Sequence, residues 1–310
     1  MKIIKTELLW SRACKYRCSG CGMRKPVLHE RPNLDLWRKG FEELKALGNK
    51  FVAIYGAEPL ERFEGLPEIV KMIKENDMDC TIITAYHDPE KLSKLVASGL
   101  DSVTTSFDVY GDQHRTQKML NGLETLREAN VNDKACVITA SLENQRYLVA
   151  AADKILKSGC WLLFDLMHGD NGNGKCKGYL PSPENRYLDE FLDYLIEQKK
   201  SGMKIHPSLE YLEYLKAHYD GDTREVWHCR GKEIGWVTVD FDGSIYPCDD
   251  WQSTNGIKVW ELAKRWQEFE RFRAQEIEKC PGCSWNTHFD AVNITKTGEI
   301  GTYIHNKVKR

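Results

Sequence analysis

Residues 51–84, FVAIYGAEPLERFEGLPEIVKMIKENDMDCTIIT, decide the fold, because they read as strand, helix and strand in immediate succession. Phe51 to Tyr55 is apolar and rich in strand formers. Leu66, Ile69, Val70 and Ile73 recur at helical spacing through Lys74, and Cys80 to Thr84 is β-branched again. A helix between two apolar strands is the signature of a crossover joining parallel neighbours. Working outward, the unit repeats. Ile3 to Leu9 forms a strand, followed by a helix near Asn33 to Leu47 whose face is Leu34, Trp37, Phe41, Leu44 and Leu47. Downstream, Asp88-Pro89 opens a helix through Ala97 as N-cap and first helical residue, and Gly99 closes it. Then come a strand at Ser102 to Phe107, a helix at Gln117 to Ala129, a strand at Ala135 to Ala140, a helix at Gln145 to Lys157, a strand at Trp161 to Leu166 and a helix at Pro183 to Lys199.

Six alternating βα units make an α/β protein with a parallel sheet, either an open TIM-like barrel or a doubly wound sheet. In both, the ligand site lies at the carboxyl ends of the strands. After Pro207 the pattern changes. A short helix rich in Leu, Tyr and Glu leads to a region carrying four cysteines and the tryptophans 227, 236, 251, 260, 266 and 285, so a boundary is drawn near 220, giving units 1–220 and 221–310.

Composition narrows the function. Forty-four Lys and Arg balance 46 Asp and Glu, so no charge excess favours nucleic acid or an anionic membrane surface. No uncharged apolar run approaches the roughly 18 residues that span a bilayer. The first residues lack the apolar core and cleavage site of a signal peptide, and a cytoplasmic location is expected. Eleven cysteines are many for that compartment, where surplus thiols point to metal ligation more than to disulfides.

Three of them, Cys14, Cys18 and Cys21, stand as C-x3-C-x2-C directly after the first strand, at its carboxyl end. Such a triplet arises by chance on the order of 1% of the time at this cysteine content. Three thiolates on one loop can hold three corners of a four-iron cluster and leave the fourth iron open to a non-protein ligand. Zinc or a redox thiol is the bland alternative. Cys80, Cys136 and Cys160 sit in or beside strands and are read as small buried hydrophobes. Cys176, His168, Asp165 and Asp170 lie at or after the sixth strand, near the mouth, where loop polarity accounts for them as well as chemistry does.

The cysteine triplet resembles the signature of the radical S-adenosylmethionine (SAM) superfamily, and three further features strengthen the likeness over residues 1 to 200. Gly56-Ala57-Glu58-Pro59 closes the second strand where that family has Gly-Gly-Glu-Pro. Ser106 and Asp108 match its Ser-x-Asp after strand four, and Arg115 is a candidate for the SAM carboxylate. Gly20 stands where the family usually carries an aromatic. The resemblance implies a partial (β/α)6 barrel in which Cys14, Cys18 and Cys21 bind a catalytic 4Fe-4S cluster. The Gly56 to Pro59 backbone then meets the SAM ammonium, and Ser106 and Asp108 meet its ribose or methionine part. It further implies reduction by a donor such as flavodoxin or ferredoxin, and cleavage of SAM to a 5′-deoxyadenosyl radical that abstracts a substrate hydrogen.

The second cysteine set is Cys229, then Gly243 and Cys248, then Cys280-Pro-Gly-Cys283. Four thiolates suit a structural zinc or a fully ligated iron–sulfur cluster, and spacing alone does not choose. The run from Cys229 to Asp249 resembles the SPASM/twitch extension of radical SAM enzymes, in its shorter twitch form. That resemblance implies an auxiliary 4Fe-4S cluster on Cys229, Cys248, Cys280 and Cys283. Oxidation or rearrangement of a small molecule is the first expectation for the reaction, since no leader-binding domain is expected before a barrel that starts at residue 3. Cross-linking or epimerisation of a ribosomally made peptide is the second, and a non-catalytic zinc or iron–sulfur module is the reading from another class.

Overall fold

The computed structural model of the 310-residue chain describes residues 3–16, 21, 31–85, 88–108, 113–167, 181–219, 235–249, 251–280 and 285–290. Six βα steps alternate as the sequence pattern requires: β1 (Lys5–Ser11), α1 (Leu34–Ala46), β2 (Phe51–Gly56), α2 (Leu66–Glu75), β3 (Asp79–Thr84), α3 (Pro89–Ala97), β4 (Ser102–Ser106), α4 (Gln113–Glu128), β5 (Asp133–Ala140), α5 (Leu148–Lys157), β6 (Trp161–Leu166) and α6 (Tyr187–Lys200). Then follow α7 (Leu209–His218), β7 (Trp236–Asp240), β8 (Ile245–Tyr246) and α8 (Trp266–Ile277).

The helix starts obey local chemistry. The Asn33 side chain accepts the Leu36 N–H, that of Asp88 accepts the Lys91 N–H, and Ser208 Oγ accepts the Tyr211 N–H. Gly99 takes a φ of 102° behind α3, a conformation glycine adopts without strain. Two elements depart from their sequence outline. α4 begins at Gln113, four residues early, because polar residues precede its apolar face. The helix expected from Pro183 is split. A 3-10 turn at Pro183–Asn185 ends at Arg186, whose φ of 54° resets the chain direction before α6.

The eight strands form one sheet in the order β6-β5-β4-β3-β2-β1-β7-β8, all parallel except β8. Each of the first six strands pairs with its predecessor, so the order never reverses. That is the arrangement of an open barrel, and it excludes a doubly wound sheet. Trp10, Phe107, Phe164 and Leu8 are fully buried, and α1 buries Trp37 and Phe41, as does α6 Phe191.

The sheet also crosses the boundary drawn near 220. β7 pairs in parallel with β1 from Lys5↔Trp236 to Leu9↔Asp240, so the carboxyl-terminal segment extends the barrel's own sheet. The same segment packs on α1. Trp260 meets Trp37 edge-on at 6.5 Å, and the Ala263 N–H donates to Glu43. A β-carbon at Gly40 would stand 2.9 Å from Val259 Cγ1, so the small residue sets this contact. Among the described residues, no helix is long and apolar enough to cross a membrane.

Candidate active site

Parallel strands carry Cys14, Gly56 to Pro59, Ser106 and Asp108 to the carboxyl ends of β1, β2 and β4. Cys14 comes three residues after β1 ends, partly exposed at its carboxyl end, and Cys21 is exposed. Cys18 lies outside the described residues. Beside Cys14 the ends of β1 and β2 are drawn together. Ser11 pairs with Gly56, and the Ala57 N–H donates to the Ser11 carbonyl at 2.8 Å. Gly56 has φ 138°, and a β-carbon there would stand 2.3 Å from the Ser11 oxygen, so a side chain is excluded on two counts. The glycine of the Gly-Ala-Glu-Pro run is thus needed to seat β2 against the thiol loop, whatever else binds there.

Glu58 turns inward and is fully buried. Its carboxylate accepts the Thr84 hydroxyl at 2.6 Å and the N–H groups of Leu60 and Ala85 at 2.9 Å each. Burial raises its proton affinity, the three hydrogen bonds work in the opposite direction, and Glu61 adds a small raising contribution. Glu58 therefore pins the end of β3 to the turn after β2, with Pro59 starting a 3-10 turn over Pro59–Arg62. Its carboxylate is spent on the protein.

Ser106 ends β4, partly exposed, and Asp108 follows it. Asp108 Oδ1 accepts the Thr139 N–H of β5 at 2.8 Å. Desolvation lifts its pKa to about 6, against the lowering effect of that hydrogen bond. Arg115 falls in α4, and its side chain lies outside the described residues, as do Cys176, His168 and Asp170. Asp165 is buried at the end of β6. Cys80, Cys136 and Cys160 are buried in or beside the sheet. A polar cleft of about 260 Å³ lined by Arg127, Lys134, Cys160 and Lys204 opens at the amino ends of β5 and β6, the opposite end of the sheet.

Residue-type reasoning missed the ion pair at the end of β1. Arg12, two residues before Cys14, donates from Nη2 to Asp240 Oδ2 at 2.5 Å and to Gln252 Oε1 at 3.1 Å. Among the described residues, its buried Nε and Nη1 have no hydrogen-bond partner.

Residues 8–155 match the sequence profile described as the radical SAM superfamily. That segment, just under half of the chain, is of the radical SAM type. No curated protein matches it. Among solved structures it is similar in fold to SuiB of Streptococcus suis bound to S-adenosylmethionine, at a TM-score of 0.65 and 15% identity, over 86% of this chain and 65% of that one. SuiB has also been solved bound to its precursor peptide SuiA. A second similar fold is anSMEcpe with AdoMet and the Cp18Cys peptide, at a TM-score of 0.61 and 15% identity, covering 89% of this chain and 82% of that one. The chain thus spans about two thirds of the length of SuiB. Enzymes of that superfamily use SAM and an iron–sulfur cluster. The described residues fit those groups: Cys14 and Cys21 are solvent-accessible thiols, Gly56 keeps the edge of β2 beside Ser11 free of a side chain, and Arg12, two residues before Cys14, is a buried guanidinium suited to an anionic neighbour.

The carboxyl-terminal cysteines are described in part. Cys229 and Cys283 lie outside the described residues, and Cys248 and Cys280 are half-buried. Among the described residues, Asp249 and His288 come close to Cys248, and the ligating atoms of the three lie within 4.8 Å of one another. His288 belongs to a helical turn at 286–290 that bridges the two sides of the open barrel. Asn286 Nδ2 donates to the Phe164 carbonyl and to Asp165 Oδ1 on β6, Asp290 accepts from Ser208, and the His288 ring lies 5.3 Å from that of Trp236 on β7. The sequence does carry a signal for His288, in the spacing C-x2-C-x4-H from Cys280 through Cys283.

Proposed function

We propose that this enzyme abstracts hydrogen from an unactivated carbon of a substrate held at the carboxyl ends of the barrel strands, with Cys14, Cys18 and Cys21 holding a four-iron cluster. The observation that supports this most directly is the 2.8 Å bond from the Ala57 N–H to the Ser11 carbonyl, which brings the Gly56 to Pro59 run within three residues of Cys14. When bound and reduced, such a cluster supplies the electron that splits SAM into methionine and a 5′-deoxyadenosyl radical. In this reading the Gly56-Ala57 backbone accepts the SAM ammonium. Ser106 and Asp108 orient the ribose and methionine part from β4, and Arg115 takes the carboxylate. Glu58, already saturated by Thr84, Leu60 and Ala85, holds that edge in place instead of touching the ligand.

Oxidation or rearrangement of a small molecule is the first reading for the overall reaction. Modification of a peptide is the second, favoured by the folds of SuiB and anSMEcpe, each solved with a peptide. Anaerobic reconstitution tests the core claim. Dithionite and SAM should release 5′-deoxyadenosine from the native chain, and none should appear with Cys14→Ser or Cys21→Ser. Release that persists in both variants would overturn the assignment.

A further inference from the structure

Cys136 and Cys160 meet at the end of the sheet opposite the thiol rim. β5 and β6 pair in parallel, with Ala135 across from Trp161 and Cys136 across from Leu162. One step back along that register Cys160 comes opposite Lys134. Because side chains alternate, positions 134, 136 and 160 then share one face of the sheet. The two sulfurs are in contact there, the Cys136 thiol donating to that of Cys160. Cys136 is 0% exposed and Cys160 3%.

Their surroundings separate the two thiols. Cys160 borders the polar cleft of about 260 Å³, where it stands among Arg127, Lys134 and Lys204, alongside Asp133. Lys204 Nζ donates to the Gly159 carbonyl at 3.1 Å and Lys134 Nζ to the Arg127 carbonyl, which ties both ammonium groups to the cleft wall. The hydrogen bond from Cys136 draws the Cys160 thiol down to about 6 against desolvation, and Ser158, Lys134 and Lys204 add to it. The same bond and burial push the Cys136 thiol up. A nucleophilic sulfur at a cationic opening therefore has a protonated thiol directly behind it. Cys80 in β3 offers the contrast: it is equally sealed, and burial pushes its thiol up.

We propose that Cys160 and Cys136 form a peroxide-reactive pair, Cys160 as the nucleophile and Cys136 as the thiol that resolves it to a disulfide. The Cys160 thiolate attacks one oxygen of hydrogen peroxide, the O–O bond breaks, and hydroxide leaves a sulfenic acid behind. The Cys136 sulfur then attacks the Cys160 sulfur, the S–O bond breaks, and the hydroxyl departs with the Cys136 proton as water. Two thiols lose two electrons, and one peroxide becomes two waters once the hydroxide takes up the proton that Cys160 released. The narrow exposure of Cys160 selects an oxidant of this size. Gly159 gives the turn before Cys160 room to adjust as the sulfurs close, since its φ is 81° and a β-carbon there would meet nothing within 4 Å. The product staples the amino ends of β5 and β6, far from Cys14, so the proposal does not depend on SAM chemistry.

The test treats the full chain, with its cluster reconstituted anaerobically and a chelator present to hold released iron, with one equivalent of hydrogen peroxide. Free thiols are then alkylated and the peptides mapped by mass. A Cys136–Cys160 linked peptide should appear at least tenfold faster than any oxidation of Cys80. In Cys136→Ser, dimedone should trap a sulfenic acid on Cys160, and Lys134→Met with Lys204→Met should slow the linkage at least tenfold. Cys80 reports on unfolding, because it is reached by peroxide when the sheet opens. A native chain that yields no linked peptide, or in which Cys80 and Cys160 are oxidised at equal rates, would overturn the proposal even if the variants fail to fold.

Discussion

Arg12 and Asp240, 228 positions apart in sequence, meet at 2.5 Å with their side chains 3% and 8% exposed, joining the carboxyl ends of β1 and β7 two residues before Cys14. Both charges are out of water, so the pair stabilises little by itself, but either partner alone is costly. Asp240→Asn should therefore destabilise the protein by about 3–5 kcal/mol, whereas a matched apolar pair, Arg12→Met with Asp240→Leu, should recover most of it. Urea unfolding of the native protein and the two variants checks this. An Asp240→Asn protein as stable as the native one would show the charges to be solvated.

Gly56 makes the second prediction. Alanine there must adopt φ near 138° and place its β-carbon 2.3 Å from the Ser11 oxygen, so β1 and β2 have to part at the rim. Strained backbone of this kind costs roughly 1–3 kcal/mol before the overlap is counted. Gly56→Ala should lose both stability and 5′-deoxyadenosine release, while Ala57→Gly, one residue on, should keep both. Equal behaviour of the two variants would mean that the close approach is not what the site requires.

The contrast between these two cases shows what the sequence made legible. Strand and helix periodicity gave all six βα units, and Asn33, Asp88 and Gly99 marked helix ends because caps and left-handed residues act locally. The motif Gly56 to Pro59 was readable through its resemblance to the Gly-Gly-Glu-Pro run alone, since its constraint, the Ser11 carbonyl, lies 45 positions away in sequence and is met across the sheet. The Arg12–Asp240 pair, the β7–β1 pairing and the His288 approach to Cys248 depend on how distant segments close the barrel, and no short-range pattern encodes them. The boundary near 220 marks a change of composition and not a break in the sheet, because β7 pairs with β1. A composition change marks a new segment, but β7 buries all five of its residues in the old sheet.

A pH dependence follows from two buried carboxyls. Asp108 and Asp290 both have pKa values raised to about 6 from 3.8, chiefly by desolvation, with hydrogen bonds from Thr139 and Ser208 opposing it. Between about pH 4 and pH 6 the folded state then binds more protons than the unfolded chain, so stability falls as pH rises through that window. Asp108→Asn keeps the acceptor for the Thr139 N–H and removes one titrating group. Its urea midpoint should change less between pH 4.5 and 7 than that of the native protein. An identical slope in the two proteins would assign the dependence elsewhere.

Asn286 gives the sharpest test of the bridge across the barrel. Its amide donates to Asp165 Oδ1 at 2.5 Å, with both residues buried. Replacing Asn286 by Asp keeps the size but turns a donor into a second carboxyl facing the first. Two buried carboxyls this close cannot both ionise, so one must hold a proton and its pKa climbs. The folded variant would bind an extra proton that the unfolded chain releases at neutral pH, and stability should fall as pH rises. Asn286→Asp should thus be several kcal/mol less stable than the native protein at pH 8 and recover part of the loss near pH 5. Asn286→Leu, which removes the donor without adding a charge, should be destabilised with no such recovery. Guanidinium or urea midpoints at the two pH values separate the cases, and a pH-independent loss in Asn286→Asp would mean that Asp165 is reached by solvent instead of being sealed under the 286–290 turn.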